Sequence, residues 1–223
     1  MFRNWVSAIA ILASLSASAQ TIDRPSVKVG DECQHDVFDN LRKDSTDNPE
    51  KVAERLMVVT AVEGSRIVTN VTQKLLVSRD TDDLEAGSLV YDQDFNVVEK
   101  NGRKFEPAYP DRFYPLTPGA ERKDVKVRYE RLSGKGVTDT KLDGKASNWQ
   151  KFVVPAGSFD AITITWDGWY DDSLGAAHYS GRSYHEVALS PATWCLVTST
   201  SKVYHRKGGI TADRTYKLTS FKN

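Results

Sequence analysis

Residues 152–166 read FVVPAGSFDAITITW. A short apolar run reaches Val154. Pro155, Ala156 and Gly157 then interrupt it, and a strict alternation follows. A type I turn favours Pro at its second position and Gly at its fourth. Residues 154–157 are therefore expected to form a tight hairpin corner, with Gly157 at positive φ as the bulge of a three-residue loop. A phosphate cradle needs several glycines and a following helix, and the stretch has neither. Beyond the corner, Ile162, Ile164 and Trp166 fall on one face of a strand and Thr163 and Thr165 on the other, because side chains alternate along an extended chain. One buried face and one wet face is the mark of an antiparallel sheet.

The same pattern runs outward in both directions. Downstream, SFDAITITWDGWY, AAHYSGRSYHEVAL, WCLVTSTSKVYHR and ITADRTYKLTSF are separated by DDSLG, SPAT and KGG, an antiparallel meander. Upstream, ERLMVVTAV and RIVTNVTQ flank Glu63-Gly64, and SLVY and NVVEK flank DQDF. Asn101-Gly102 is a two-residue turn of the type that matches strand twist. KVRYERL precedes SGKG, and Asp143-Gly144 reads as a further corner. Helical character is scarce: residues 49–57, PEKVAERLM, are expected to form a short helix, and residues 117–124 a weaker one. The polar stretch at 39–51 reads as a loop. The fold class is mostly β, a single antiparallel meander sheet with at most one or two short helices.

The N-terminus carries an address. Arg3 gives a positive start, residues 6–15 are apolar, and Ala17, Ser18 and Ala19 are small, which together predict a secretory signal cleaved after Ala19. The apolar run is shorter than the roughly 20 residues a spanning helix needs. No cysteine lies beside the cut, so the expected location is periplasmic or secreted, without a lipid anchor. Residues 20–223 are expected to form one domain, a length that buries roughly 70% of the unfolded chain's surface. The 30 basic and 30 acidic residues are interspersed, which argues against a nucleic-acid partner. Cys33 and Cys195 are candidates for a disulfide in an oxidising compartment, with two separate buried thiols as the alternative.

Motifs for chemistry are sparse. The histidines are His35, His178, His185 and His205, and His185-Glu186 lacks the second histidine of a helical zinc site. Asp92, Asp94 and Asn96 begin like a calcium loop, but Val97 stands where Gly is needed and Arg103 where Glu is needed. The acidic runs at 80–85 and at Asp171-Asp172 read as loops. No G-x-S-x-G elbow occurs. No cofactor, metal or catalytic residue is assigned. Aromatics crowd the second half: Trp149, Trp166, Trp169, Tyr170, Tyr179, Tyr184 and Trp194. They serve either as core and cross-strand pairs or as the lining of a concavity, with Trp166, Trp169 and Tyr184 the first candidates for ligand contact.

Several corners in order resemble a group of exported proteins of Gram-negative bacteria, a domain family of unknown function. They are Val29-Gly30-Asp31, the corner from Asp92 to Asn96, the stretch from Pro115 to Gly119, the turn from Val154 to Ala161, and Leu189-Ser190-Pro191. The resemblance implies a curved antiparallel sheet, a half-barrel or open barrel related to those of lipoprotein carriers. It transfers no catalytic residue. Cys33 stands where an aromatic is usual, which suggests a Cys33–Cys195 bridge in place of an aromatic contact. Ser158 replaces the common Thr, and Leu189 an aromatic.

Three functional classes follow. The first is a non-catalytic periplasmic module that binds an apolar, lipid-like or amphipathic ligand or another envelope protein. The second is a hydrolase with dispersed catalytic residues, and the third a structural envelope protein without a ligand. A pocket holding an oriented Ser, His and carboxylate would favour the hydrolase.

Overall fold

The computed structural model describes residues 21–43, 47–77, 86–130, 136–174 and 177–223. The expected signal segment and the acidic run at 80–85 lie outside the described residues. Among the described residues twelve strands follow one another: β1 (Glu32–Lys43), β2 (Pro49–Glu63), β3 (Arg66–Leu75), β4 (Gly87–Tyr91), β5 (Val97–Lys100), β6 (Arg103–Tyr109), β7 (Glu121–Glu130), β8 (Val137–Val154), β9 (Gly157–Leu174), β10 (Ala177–Leu189), β11 (Leu196–His205) and β12 (Ile210–Lys222). Each pairs antiparallel with its sequence neighbour, as a meander must.

The sheet is a closed barrel, not the half-barrel or open sheet expected. β1 and β12 pair antiparallel from Glu32↔Lys222 to Asp39↔Arg214, with one irregularity between Gln34 and His35. Closure satisfies the backbone groups that two long edge strands would otherwise expose.

No helix occurs among the described residues. The stretch 49–57 lies in β2, held between β1 and β3. Ladders on both sides outweigh the helix preference of Glu, Lys, Ala and Arg. Its alternation is visible once the inward set is known: Ala53, Met57 and Val59 are buried while Thr60 and Val62 are exposed. Residues 117–120 are non-helical and β7 takes over at Glu121. The expected loop at 39–51 is mostly the ends of β1 and β2. Nor is Asp143-Gly144 a corner, because β8 runs straight through it. Gly144 answers a packing need instead: a Cβ there would meet the Trp166 ring at 2.5 Å.

The opening stretch is a hairpin, as expected. Phe152 pairs with Phe159, Val153 with Ser158 and Val154 with Gly157, and Gly157 has φ 134. The loop is the two residues Pro155 and Ala156, tighter than the three-residue form anticipated. This hairpin tip leans on β12, which is not its sheet neighbour. The Ala156 N–H donates to the Leu218 carbonyl at 3.1 Å, and the Phe159 ring meets that of Phe221 at 6.0 Å. Both strand faces are therefore covered here, and Ala161 and Ile162 are equally buried. A Cβ on Gly157 would find only Phe159, at an ordinary 3.9 Å, so Gly157→Ala should cost backbone strain alone, about 1–2 kcal/mol. Pro155→Ala should cost less, about 0.4–1 kcal/mol, through the looser unfolded chain. Urea denaturation of the two variants checks the order, and equal midpoints would contradict it.

Connections at one end of the barrel form a plug. The β6–β7 connection enters with Phe113 and Leu116, and Ile22 of the N-terminal arm bridges to Leu116. These pack on Leu142, Ala146, Ile162, Ile164, Trp166, Val187 and Leu189. A second cluster joins Met57, Val59, Val71, Leu89, Phe95, Trp194 and Leu218 around a disulfide between Cys33 and Cys195, whose Cα atoms are 5.7 Å apart.

Candidate functional site

Inward-facing positions change character along the barrel. Near the plug they are buried and mostly apolar. Farther along β9–β12 they are polar or aromatic and only half-buried: Tyr170, Ser183, His185, Ser201, Arg214 and Tyr216. The register places them on one face, since Gly181↔Tyr170, His185↔Trp166, His185↔Ser201 and Ser201↔Arg214 are direct cross-strand partners and such partners share a face. These half-buried side chains line the inner face of the closed barrel beyond the packed zone around the plug.

At the boundary between floor and lumen, three elements bring together Asp111, His185 and Ser199. The Ser199 hydroxyl lies 3.0 Å from His185 Nε2, and His185 Nδ1 lies 3.5 Å from Asp111 Oδ1. Asp111 is held by its own backbone: its N–H donates to Asn96 Oδ1 at 3.1 Å and its carbonyl accepts the Trp166 indole N–H at 3.2 Å. The order Ser–His–Asp is that of a proton relay. Ser199 sits mid-strand, however, paired with Val187 on one side and Tyr216 on the other. Its backbone is thus committed to ladders, and no turn aims its N–H at a developing oxyanion.

Beside the relay, the Tyr109 phenol is pushed well above its usual range, by burial first and then by Tyr129. His35 is buried and held down to about 4, by burial first and then by Arg55. Its Nε2 lies 2.8 Å from the Leu196 carbonyl.

The aromatic candidates separate. Trp166 faces inward, 1% exposed, edge-on to Phe113 at 5.8 Å. It is a floor side chain that the plug covers. Trp169, three residues on, is on the outer face and 58% exposed. There it borders a shallow groove of about 460 Å³ with Lys141, Asp167 and Arg182. Tyr184 shares the outer face through its partner Asp167, and its hydroxyl donates to Glu186 at 2.6 Å. Burial, then that carboxylate, raises Tyr184 to about 12. The three do not converge on one surface. Sequence reading missed Asp111, Ser199, Arg112 and Tyr216; the one available signal was a charged pair, Asp111-Arg112, inside the apolar and proline-rich stretch YPDRFYPLTP.

The corner at 92–96 is built by its own side chains. Asp92 Oδ1 accepts from the N–H groups of Asp94 and Asn96, and Phe95 takes φ 61. Asn101-Gly102 is the two-residue turn expected, with Lys100 paired to Arg103.

No known family model and no curated protein sequence matches the chain. Two solved structures resemble it. One is described as an exported protein with a YmcC-like fold, from Bacteroides fragilis, at TM-score 0.50 and 14% identity, covering 92% of this chain and 100% of that one. The other is described as a lipoprotein from Parabacteroides distasonis, at TM-score 0.50 and 14% identity, covering 87% of this chain and 96% of that one. At this identity the likeness is one of fold, and the chain is similar to these two proteins in its all-β architecture.

Proposed function

We propose that this protein is an exported, single-domain, non-catalytic barrel that binds an amphipathic ligand at its lumen. The observation that supports this most is the two-zone interior: a packed zone around the plug, apolar but for a few buried polar side chains, under inner-face positions that are polar, aromatic and only half-buried. In this reading the ligand's polar part enters the lumen and its apolar part stays toward the open end. Export agrees with the N-terminal signal pattern and with how the two structural neighbours are described.

Trp166 reports on this directly, because its indole N–H is tied to Asp111 at the floor of the lumen. Titration with dodecyl maltoside or laurate should change tryptophan fluorescence with saturation, and the change should survive Trp169→Phe. A signal that vanishes with Trp169→Phe would move the ligand to the outer groove. No saturable signal with either amphiphile would leave the structural reading.

The Asp111–His185–Ser199 relay favours one other reading, an ester hydrolase with Ser199 as nucleophile, His185 as base and Asp111 as its orienter. Turnover of a p-nitrophenyl ester that Ser199→Ala and His185→Ala both abolish would establish it.

A further inference from the structure

Arg112 lies within the plug and is 3% exposed. Its Nη1 donates to the Trp194 carbonyl at 2.8 Å, and its guanidinium stacks over Phe95 at 4.6 Å. Its Nε has no partner, and among the described residues no carboxylate lies within ion-pairing distance of it. The carboxylate adjacent in sequence, Asp111, is directed to His185 instead. A buried cation without a counter-ion is costly, and folded proteins ordinarily pair it or neutralise it. Arginine cannot be neutralised by losing its proton.

His35 stands beside it. The two side chains hang from carbonyls two residues apart, Trp194 for Arg112 and Leu196 for His35. A carbonyl only accepts, so His35 carries its proton on Nε2 and leaves Nδ1 bare; that atom is buried without a partner. Arg55 is the direct cross-strand partner of His35 and extends the cluster toward the half-buried upper lumen. The positive field of Arg55 and Arg112 acts on His35. One site thus gathers an uncompensated guanidinium, a second guanidinium and an imidazole able to accept a proton.

We infer that this cluster receives the anionic head of the ligand, a carboxylate or phosphate, with Arg112 Nε–H as its principal donor. The inference rests on the ligand-binding reading above and specifies the charge of the ligand. Arg112 would supply the counter-charge, and Arg55 adds to the positive field around it. His35, once protonated at Nδ1, would add a second donor to the anion. The proton comes from solvent, so binding takes up a proton below neutral pH.

The test compares four probes on the refolded, ligand-free protein by titration calorimetry below their micellar concentrations: inorganic phosphate, dodecyl phosphate, laurate and the uncharged dodecyl maltoside. The expected result is at least tenfold tighter binding of an anionic amphiphile than of the maltoside. Arg112→Met should erase that preference while leaving maltoside affinity within twofold. Dodecyl phosphate against laurate distinguishes the two head groups. Tight binding of inorganic phosphate alone would identify a free anion rather than a lipid-like one as the ligand. Equal binding of charged and uncharged amphiphiles overturns the charge assignment and leaves the lumen reading standing; binding of none of the four overturns both. Ligand-free Arg112→Met should also unfold at the same or a higher temperature than the parent, because a buried unpaired charge has been replaced by an apolar chain. A lower temperature would make Arg112 a structural residue and defeat the inference. If Arg112→Met does not fold, His35→Gln reads the same preference, with a loss of at least threefold expected and no loss counting against the site.

Discussion

Replacing Cys33 and Cys195 together by alanine is expected to lower stability by about 5 kcal/mol, from the chain-entropy cost of releasing a long closed loop. The two cysteines are 162 residues apart in sequence, and both are fully buried. Cys33 is at the start of β1 and Cys195 directly precedes β11, so the bridge spans the intervening β12. It therefore fastens the barrel where its first and last strands meet, at the plugged end. A loss of that size is comparable to the whole stability of many domains of this kind, about 5–15 kcal/mol. Equilibrium urea unfolding of the oxidised protein and the double alanine variant should differ by most of this amount. A difference below about 1 kcal/mol, within the scatter of surface substitutions, would show that β1–β12 pairing alone holds the seam.

The second large effect belongs to Trp166. Trp166→Ala should destabilise by about 3–5 kcal/mol, the range for emptying a large aromatic site in a packed core. Three contacts make collapse into the space difficult. Phe113 meets the ring edge-on, Gly144 lies flat against it with no side chain to move, and the indole N–H is bonded to the Asp111 carbonyl. Removing the indole leaves that carbonyl without its donor and loosens the loop that carries Asp111. Trp166→Phe keeps most of the volume and should cost less than half as much. Thermal unfolding of the two variants should give that order, and an alanine variant as stable as the parent would show that the floor is not packed around this ring.

Much of the barrel was legible because strands advertise themselves locally. The alternation Ile162-Thr163-Ile164-Thr165-Trp166 needs only one neighbouring strand to make sense, and the turn chemistry of Pro155-Ala156-Gly157 and Asn101-Gly102 is written in the turn residues themselves. Closure was not legible. It depends on whether residues 32–39 meet residues 214–222, and no local pattern in either segment states which distant strand it will pair with. The misread helix at 49–57 has the same cause: Glu50, Lys51, Ala53, Glu54 and Arg55 favour a helix in isolation, and ladders to β1 and β3 decide otherwise. Gly144 looked like a turn because its partner, Trp166, lies on another strand. Crowding in sequence groups the aromatic candidates together, whereas parity assigns Trp166 to the inside and Trp169 to the outside. The relay and the Arg112 cluster were illegible for a further reason. Their members come from β1, β2, the β6–β7 connection, β10 and β11, and only the closed barrel brings those segments together.

Native mass spectrometry of the protein purified without detergent tests the central claim, that the lumen holds an anionic amphiphile. The expected spectrum shows one non-covalent ligand per oxidised chain, released on denaturation and replaced one for one when dodecyl phosphate is added. A spectrum of bare oxidised chain that takes up no dodecyl phosphate would contradict it.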